Sequence, residues 1–89
     1  KKNIITFDGA FHGRTFAALS AQQSKKYCEG FEPLIPGFIK VSFNDIDQVK
    51  KNIDENIGAI LIEPVQGEGG INPANLKFLK QLREICYEI

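Results

Sequence analysis

An uninterrupted apolar run, GAILI at residues 58–62, is the strongest constraint on how this chain can fold. A strand with no polar residue alternating along it has no face to give to water. The run therefore predicts a central strand of a parallel sheet, covered by helices on both faces. It leads into EPVQGEGG at residues 63–70, which sets two carboxylates, Glu63 and Glu68, around an amide and among glycines.

The rest of the chain can be read around that strand. NIITF at residues 3–7 is a β-branched run stopped by Asp8-Gly9, as a strand ending in a turn would be. Thr15 can cap a short helix over residues 15–21. Residues 22–37 carry prolines and scattered Tyr27, Phe31, Leu34 and Ile35, which predicts a long irregular connection of the kind that makes contacts. FIKVSF at residues 38–43 predicts another strand. Asn44, three residues before Asp47, is then expected to cap a helix that turns Ile46, Val49 and Ile53 inward. Asn72-Pro73 is expected to open the last helix with proline in its first turn, and Leu76, Leu79, Leu82, Ile85, Cys86 and Ile89 are its expected buried stripe. Strand, helix, loop, strand, helix, strand, helix is the order of a mostly parallel α/β fold.

A chain of 89 residues suits one small domain and is too short for a two-domain enzyme. A small sheet with an apolar central strand, ending on Ile89 in mid-helix, reads as a piece of something larger. Eleven basic and 11 acidic residues leave no electrostatic footprint for nucleic acid or an anionic membrane surface. The apolar runs fall far short of the roughly 20 residues of a membrane span, and Lys1-Lys2-Asn3 leads into a strand rather than a signal peptide. Cys28 and Cys86 read as free thiols, so the expected setting is soluble, reducing cytoplasm.

In doubly wound sheets ligands gather beyond the carboxyl ends of the strands, which directs attention to the residues after Phe7, Phe43 and Ile62. The first of these segments is DGAFHGRT, residues 8–15. Its glycines allow close backbone approach, Phe11 offers a flat face and Arg14 a carboxylate-shaped fork. Each residue also has a plainer reading: Phe11 as a core aromatic, His12 as a hydrogen-bonded structural imidazole, Arg14 as a solvated helix-start residue. No serine or cysteine nucleophile lies near His12, so a hydrolase triad has little support. In the last segment, burial of Glu63 would disfavour its charge unless a donor or cation meets it. Gln66 offers amide donors and an acceptor, and Glu68 sits where it could swing or pair with an arginine. The plainer reading is a capping turn. Glycoside hydrolysis by paired carboxylates needs a larger cleft, and His12, Glu63 and Glu68 have no metal-ligand spacing.

GAFHGRTFAALSA at residues 9–21 and EPVQGEGGINP at residues 63–73, with FEPLIPGFIKVSFND between them, resemble the class III (ornithine-type) pyridoxal-phosphate aminotransferases over nearly the whole chain. Within that class FHGRTFAALSA is most similar to the acetylornithine branch, with ornithine and 4-aminobutyrate aminotransferases as alternatives.

The resemblance implies part of the mostly parallel sheet of the large domain of a fold type I pyridoxal-phosphate transferase. It implies that Phe11 stacks on the cofactor ring, that His12 and Glu63 line the cofactor pocket, and that Arg14 binds the substrate carboxylate. Glu68 matches a gating glutamate that pairs with an arginine for one substrate and releases it for the other. The implied substrates are an amino acid, N2-acetylornithine first, and 2-oxoglutarate. The implied setting is a cytoplasmic homodimer serving arginine biosynthesis, with succinyldiaminopimelate as a further donor in lysine biosynthesis.

The class also needs a Schiff-base lysine, an aspartate at the pyridinium nitrogen and a phosphate loop, and no residue of this chain matches those motifs. Residues 1–89 are thus expected to be a single segment of the cofactor domain, inactive alone. A free-standing α/β binding or interaction module is the alternative from another class; a reading frame continuing past Ile89 separates the two.

Overall fold

The computed structural model describes residues 1–67 and 70–89. The strand β1 (Asn3–Phe7) lies in the middle of a parallel sheet, flanked by β2 (Phe38–Val41) and β3 (Ile57–Ile60). On the β2 side the register is unbroken from Ile4 opposite Phe38 to Phe7 opposite Val41. On the β3 side it slips between Asn3 and Ile4.

The parallel α/β class is as expected, but the strand order is not. The apolar GAILI run enters the edge strand β3, which ends at Ile60, and β1 takes the centre. Ile60 and Ile62 pack against the core, whereas Ala59 and Leu61 point to the opposite face, where Leu61 is 38% exposed. An apolar run reports that two faces want covering; it does not report which strands lie beside it.

Among the described residues there are four helices: α1 (Phe16–Gln22), α2 (Lys25–Cys28), α3 (Ile46–Asn52) and α4 (Leu76–Glu88). Thr15 caps α1 as expected, its side chain accepting from the Ala18 N–H. Three other expectations are corrected. The connection over residues 22–37 contains the short helix α2. The cap of α3 is Asp45, which accepts from the Gln48 N–H, while Asn44 adopts φ 61° and uses its side chain elsewhere. Asn72–Pro73 does not open a helix: it is β5, paired antiparallel with β4 (Val65–Gln66), and α4 starts three residues later behind the cap Asn75.

The core lies between the sheet and the α3–α4 layer, with Ile5, Phe7, Val41, Val49, Ile57, Phe78 and Leu82 at its centre. Thr6, also fully buried, points to the face on which α1 packs. Phe7, Phe43 and Phe78 meet edge to face, with ring centroids 5.6–6.2 Å apart. Such pairs add roughly 0.5–1.5 kcal/mol each beyond the area they bury. The stripe of α4 is centred on Phe78, 2% exposed, rather than on Leu76, which is 75% exposed. Leu76 is the first residue of the helix and is not among the residues packed on the core.

Because Phe78 joins both other rings, Phe78→Ala is expected to lower the unfolding free energy by about 3–5 kcal/mol. Urea denaturation checks this, and a loss below about 1 kcal/mol would contradict the placement.

Candidate functional site

The loops that follow β1 and β3 close on each other beyond the carboxyl end of the sheet. Glu63 leaves β3 and its carboxylate accepts the backbone N–H of Phe11 at 2.6 Å, a contact between residues 52 apart in sequence. A charge-assisted bond of this kind supplies the donor that a half-buried carboxylate needs.

A second tie runs parallel to it. Gln66, 3% exposed, donates its side-chain amide to the Asp8 carbonyl at 2.9 Å. Gly9 turns with φ 77°, and a Cβ there would lie 2.8 Å from the Gln66 side-chain oxygen. The glycine is therefore required twice, by its backbone angle and by the amide packed against it.

Next along the loop, the His12 backbone N–H donates to the Gln22 side-chain oxygen at 2.6 Å. Gln22 closes α1 and is 2% exposed. Among the described residues its side-chain nitrogen and the Nε2 of His12 are buried without a hydrogen-bond partner.

The ring of Phe11 stands edge-on to Tyr27, with centroids 5.5 Å apart and planes 63° apart. The guanidinium carbon of Arg14 lies 6.0 Å from the centroid of the same tyrosine. Arg14, Leu19, Tyr27, Glu29 and Phe31 line a cavity of about 340 Å³ beside the loop.

The loop after β2 joins the same end. Asn44 donates its amide to the Pro73 carbonyl at 3.3 Å and accepts from the Asn75 N–H at 2.9 Å, fixing the approach to α4.

The structure thus brings Phe11, His12, Arg14 and Glu63 to one end of the sheet; Glu68 lies outside the described residues. Sequence reasoning passed over Gln22 and Tyr27. Tyr27 carried a signal, as an aromatic in a segment too long to be structureless. Gln22 carried only that of a polar side chain ending an otherwise apolar helix. Among the described residues no group of three His, Cys, Asp or Glu is placed to hold a metal ion, and no helix is long and apolar enough to cross a membrane.

If Glu63 holds the loop, Glu63→Ala should raise the hydrogen-exchange rate of the Phe11 amide by about 10–100-fold, the equivalent of losing one bond to a charged acceptor. An unchanged rate would mean that the loop is held by other contacts.

The family model described as Aminotransferase class-III matches residues 1–89. The chain is 53% identical to the acetylornithine aminotransferase of Rhodobacter capsulatus over 88 residues, which is 99% of this chain and 22% of that protein. It is equally 53% identical, with the same coverage, to ornithine aminotransferase 2 of Staphylococcus saprophyticus. The chain therefore spans about a fifth of the length of the relatives it matches.

Among solved structures, the ornithine aminotransferase of Toxoplasma gondii superposes with a TM-score of 0.89 at 31% identity, over 97% of this chain and 21% of that one. A second structure of that enzyme is described as having partial occupancy of pyridoxal phosphate at its active site. A thermostable omega transaminase from Pseudomonas jessenii shares the fold, with a TM-score of 0.87 at 22% identity over 99% of this chain and 24% of that one. Matched by the family model over its whole length and half identical to curated members, the chain belongs to the class III aminotransferases, a pyridoxal-phosphate-dependent family.

Proposed function

We propose that the protein carrying this segment moves an amino group between N2-acetylornithine and 2-oxoglutarate, with pyridoxal phosphate as cofactor. The observation that supports this reading most is the bond from the Phe11 N–H to Glu63, which joins the loops after β1 and β3 and leaves Phe11 and Arg14 on one short stretch beyond the sheet.

The residues present fit one wall of a cofactor site. The Phe11 ring is half-buried, edged by Tyr27 and fixed at its backbone, and the same loop holds a buried His12 Nε2 in want of a partner. Phe11 would stack on the pyridine ring, with His12 and Glu63 behind it. Bound there, pyridoxal phosphate supplies the aldehyde that carries the amino group and the ring that draws electrons from it. The lysine, the pyridinium aspartate and the phosphate loop that the class requires are assigned to the remainder of the protein.

Arg14 is the fork for the substrate carboxylate, a planar bidentate donor that lysine does not reproduce. Glu68, in the glycine loop, is the gate that pairs with an arginine during one half-reaction and frees it for 2-oxoglutarate during the other. N2-acetylornithine is preferred to ornithine as donor because FHGRTFAALSA is most similar to the acetylornithine branch. Relatives bearing either name match at 53% identity, so ornithine is the second reading. A cytoplasmic homodimer serving arginine biosynthesis, with succinyldiaminopimelate as a further donor, completes the proposal.

In the full-length protein, Arg14→Lys is expected to lower kcat/KM for N2-acetylornithine by about 10–100-fold, the equivalent of one charged hydrogen bond, while cofactor absorbance is retained. Unchanged kcat/KM would contradict the assignment. Glu68→Ala should alter the ratio of the two half-reaction rates more than it alters cofactor affinity, as stopped-flow measurement of each half-reaction would read; equal loss in both halves would mark the loop as a structural turn.

A further inference from the structure

We propose that Tyr27 is a positioning residue for substrate binding: its ring holds the Arg14 guanidinium and the Phe11 ring in one fixed relation, setting the carboxylate fork at a defined place beside the cofactor face. The inference rests on the reading of Arg14 and Phe11 given above, and goes beyond it by naming what holds them.

Arg14 has a long side chain that is exposed to solvent, and a free guanidinium samples many rotamers. Among the described residues no carboxylate pairs with it; what it meets is the Tyr27 ring, 6.0 Å from its central carbon. This choice of partner matters chemically. A carboxylate would occupy the N–H donors that a substrate carboxylate needs, whereas a ring face attracts the cation through its quadrupole and leaves the donors free. Phe11, three residues earlier, packs edge-on against the same ring, so both groups are referred to one object.

Tyr27 can serve as that object because its helix is tied down. Cys28, buried, donates its thiol to the Leu19 carbonyl of α1 at 3.2 Å. The Cys28 N–H donates to the Ser24 carbonyl and the Phe31 N–H to the Cys28 carbonyl, each at 2.9 Å. Since α1 begins right after Arg14 and Thr15, the chain from Arg14 through α1 and α2 returns through Tyr27 to Arg14 as a closed circuit.

The test uses the full-length enzyme with bound pyridoxal phosphate and the variants Tyr27→Leu and Tyr27→Phe. Two donors are compared: N2-acetylornithine, and N-acetylputrescine, which lacks its carboxylate. Calorimetry with N-acetylnorvaline, which keeps the carboxylate and lacks the transferable amine, reads binding without turnover.

Tyr27→Leu is expected to raise KM for N2-acetylornithine and Kd for N-acetylnorvaline by about 2–5-fold, the equivalent of one exposed cation–π contact. Its effect on kcat and on the N-acetylputrescine reaction should be smaller than this, and Tyr27→Phe, which keeps the ring face, should restore both constants. Equal impairment of the two donors, or loss of fold or cofactor in Tyr27→Leu, would mark Tyr27 as a packing residue and overturn the proposal; so would an unchanged Kd. Arg14→Lys separates the two levels: if it leaves Kd for N-acetylnorvaline unchanged, the carboxylate reading of Arg14 fails and this proposal with it. If it weakens binding and Tyr27→Leu does not, only the role of Tyr27 fails.

Discussion

The bond from the Phe11 backbone N–H to the Glu63 carboxylate is the contact on which the arrangement of this segment turns. It explains why a strand as apolar as GAILI ends in a charged residue. A carboxylate at a strand end is costly to desolvate by itself, and a backbone N–H in a glycine-flanked loop is costly to leave unmet. Each satisfies the other, and in doing so two motifs from distant parts of the chain become one surface. The Gln66 amide on the Asp8 carbonyl repeats the device one step closer to the sheet.

With those ties in place, the loop after β1 has little freedom left. Its first glycine turns under Gln66, its histidine backbone is held by Gln22, and its phenylalanine is fixed from behind by Glu63 and from the side by Tyr27. Pre-organisation of this kind suits the stacking role proposed for Phe11, because the entropy of ordering the loop is met during folding rather than during binding. Of the two carboxylates of EPVQGEGG, Glu63 is the anchor, and Glu68, outside the described residues, is the proposed gate.

What could be read from the sequence was local. The α/β class, the ends of β1 and the Thr15 cap follow from short-range pattern and side-chain chemistry, and the structure has them. What could not be read depended on neighbours. The apolar run announced two faces to cover but not its place at the edge of this sheet. Asn44 and Asp45 are both good caps by type, and the choice fell to Asp45 because the Asn44 side chain is engaged with Pro73 and Asn75. Proline at the start of an apolar run suggests a first helical turn, but Pro73 pairs with Val65 and the helix waits for Asn75. Phe11 and Arg14 were singled out by type, and the structure sets both against Tyr27. The contacts made by their supports, Gln22 and Tyr27, were not legible, because nothing in sequence spacing brings a helix end or a short helix against that loop.

The central claim is that the Phe11 loop, held by Glu63, is one wall of the cofactor site. A crystal structure of the full-length protein with bound pyridoxal phosphate tests it most directly. The account predicts the Phe11 ring against a face of the pyridine ring, with the bond from its N–H to Glu63 intact. A cofactor bound away from this loop, or a Glu63 carboxylate turned from the Phe11 N–H, would contradict it.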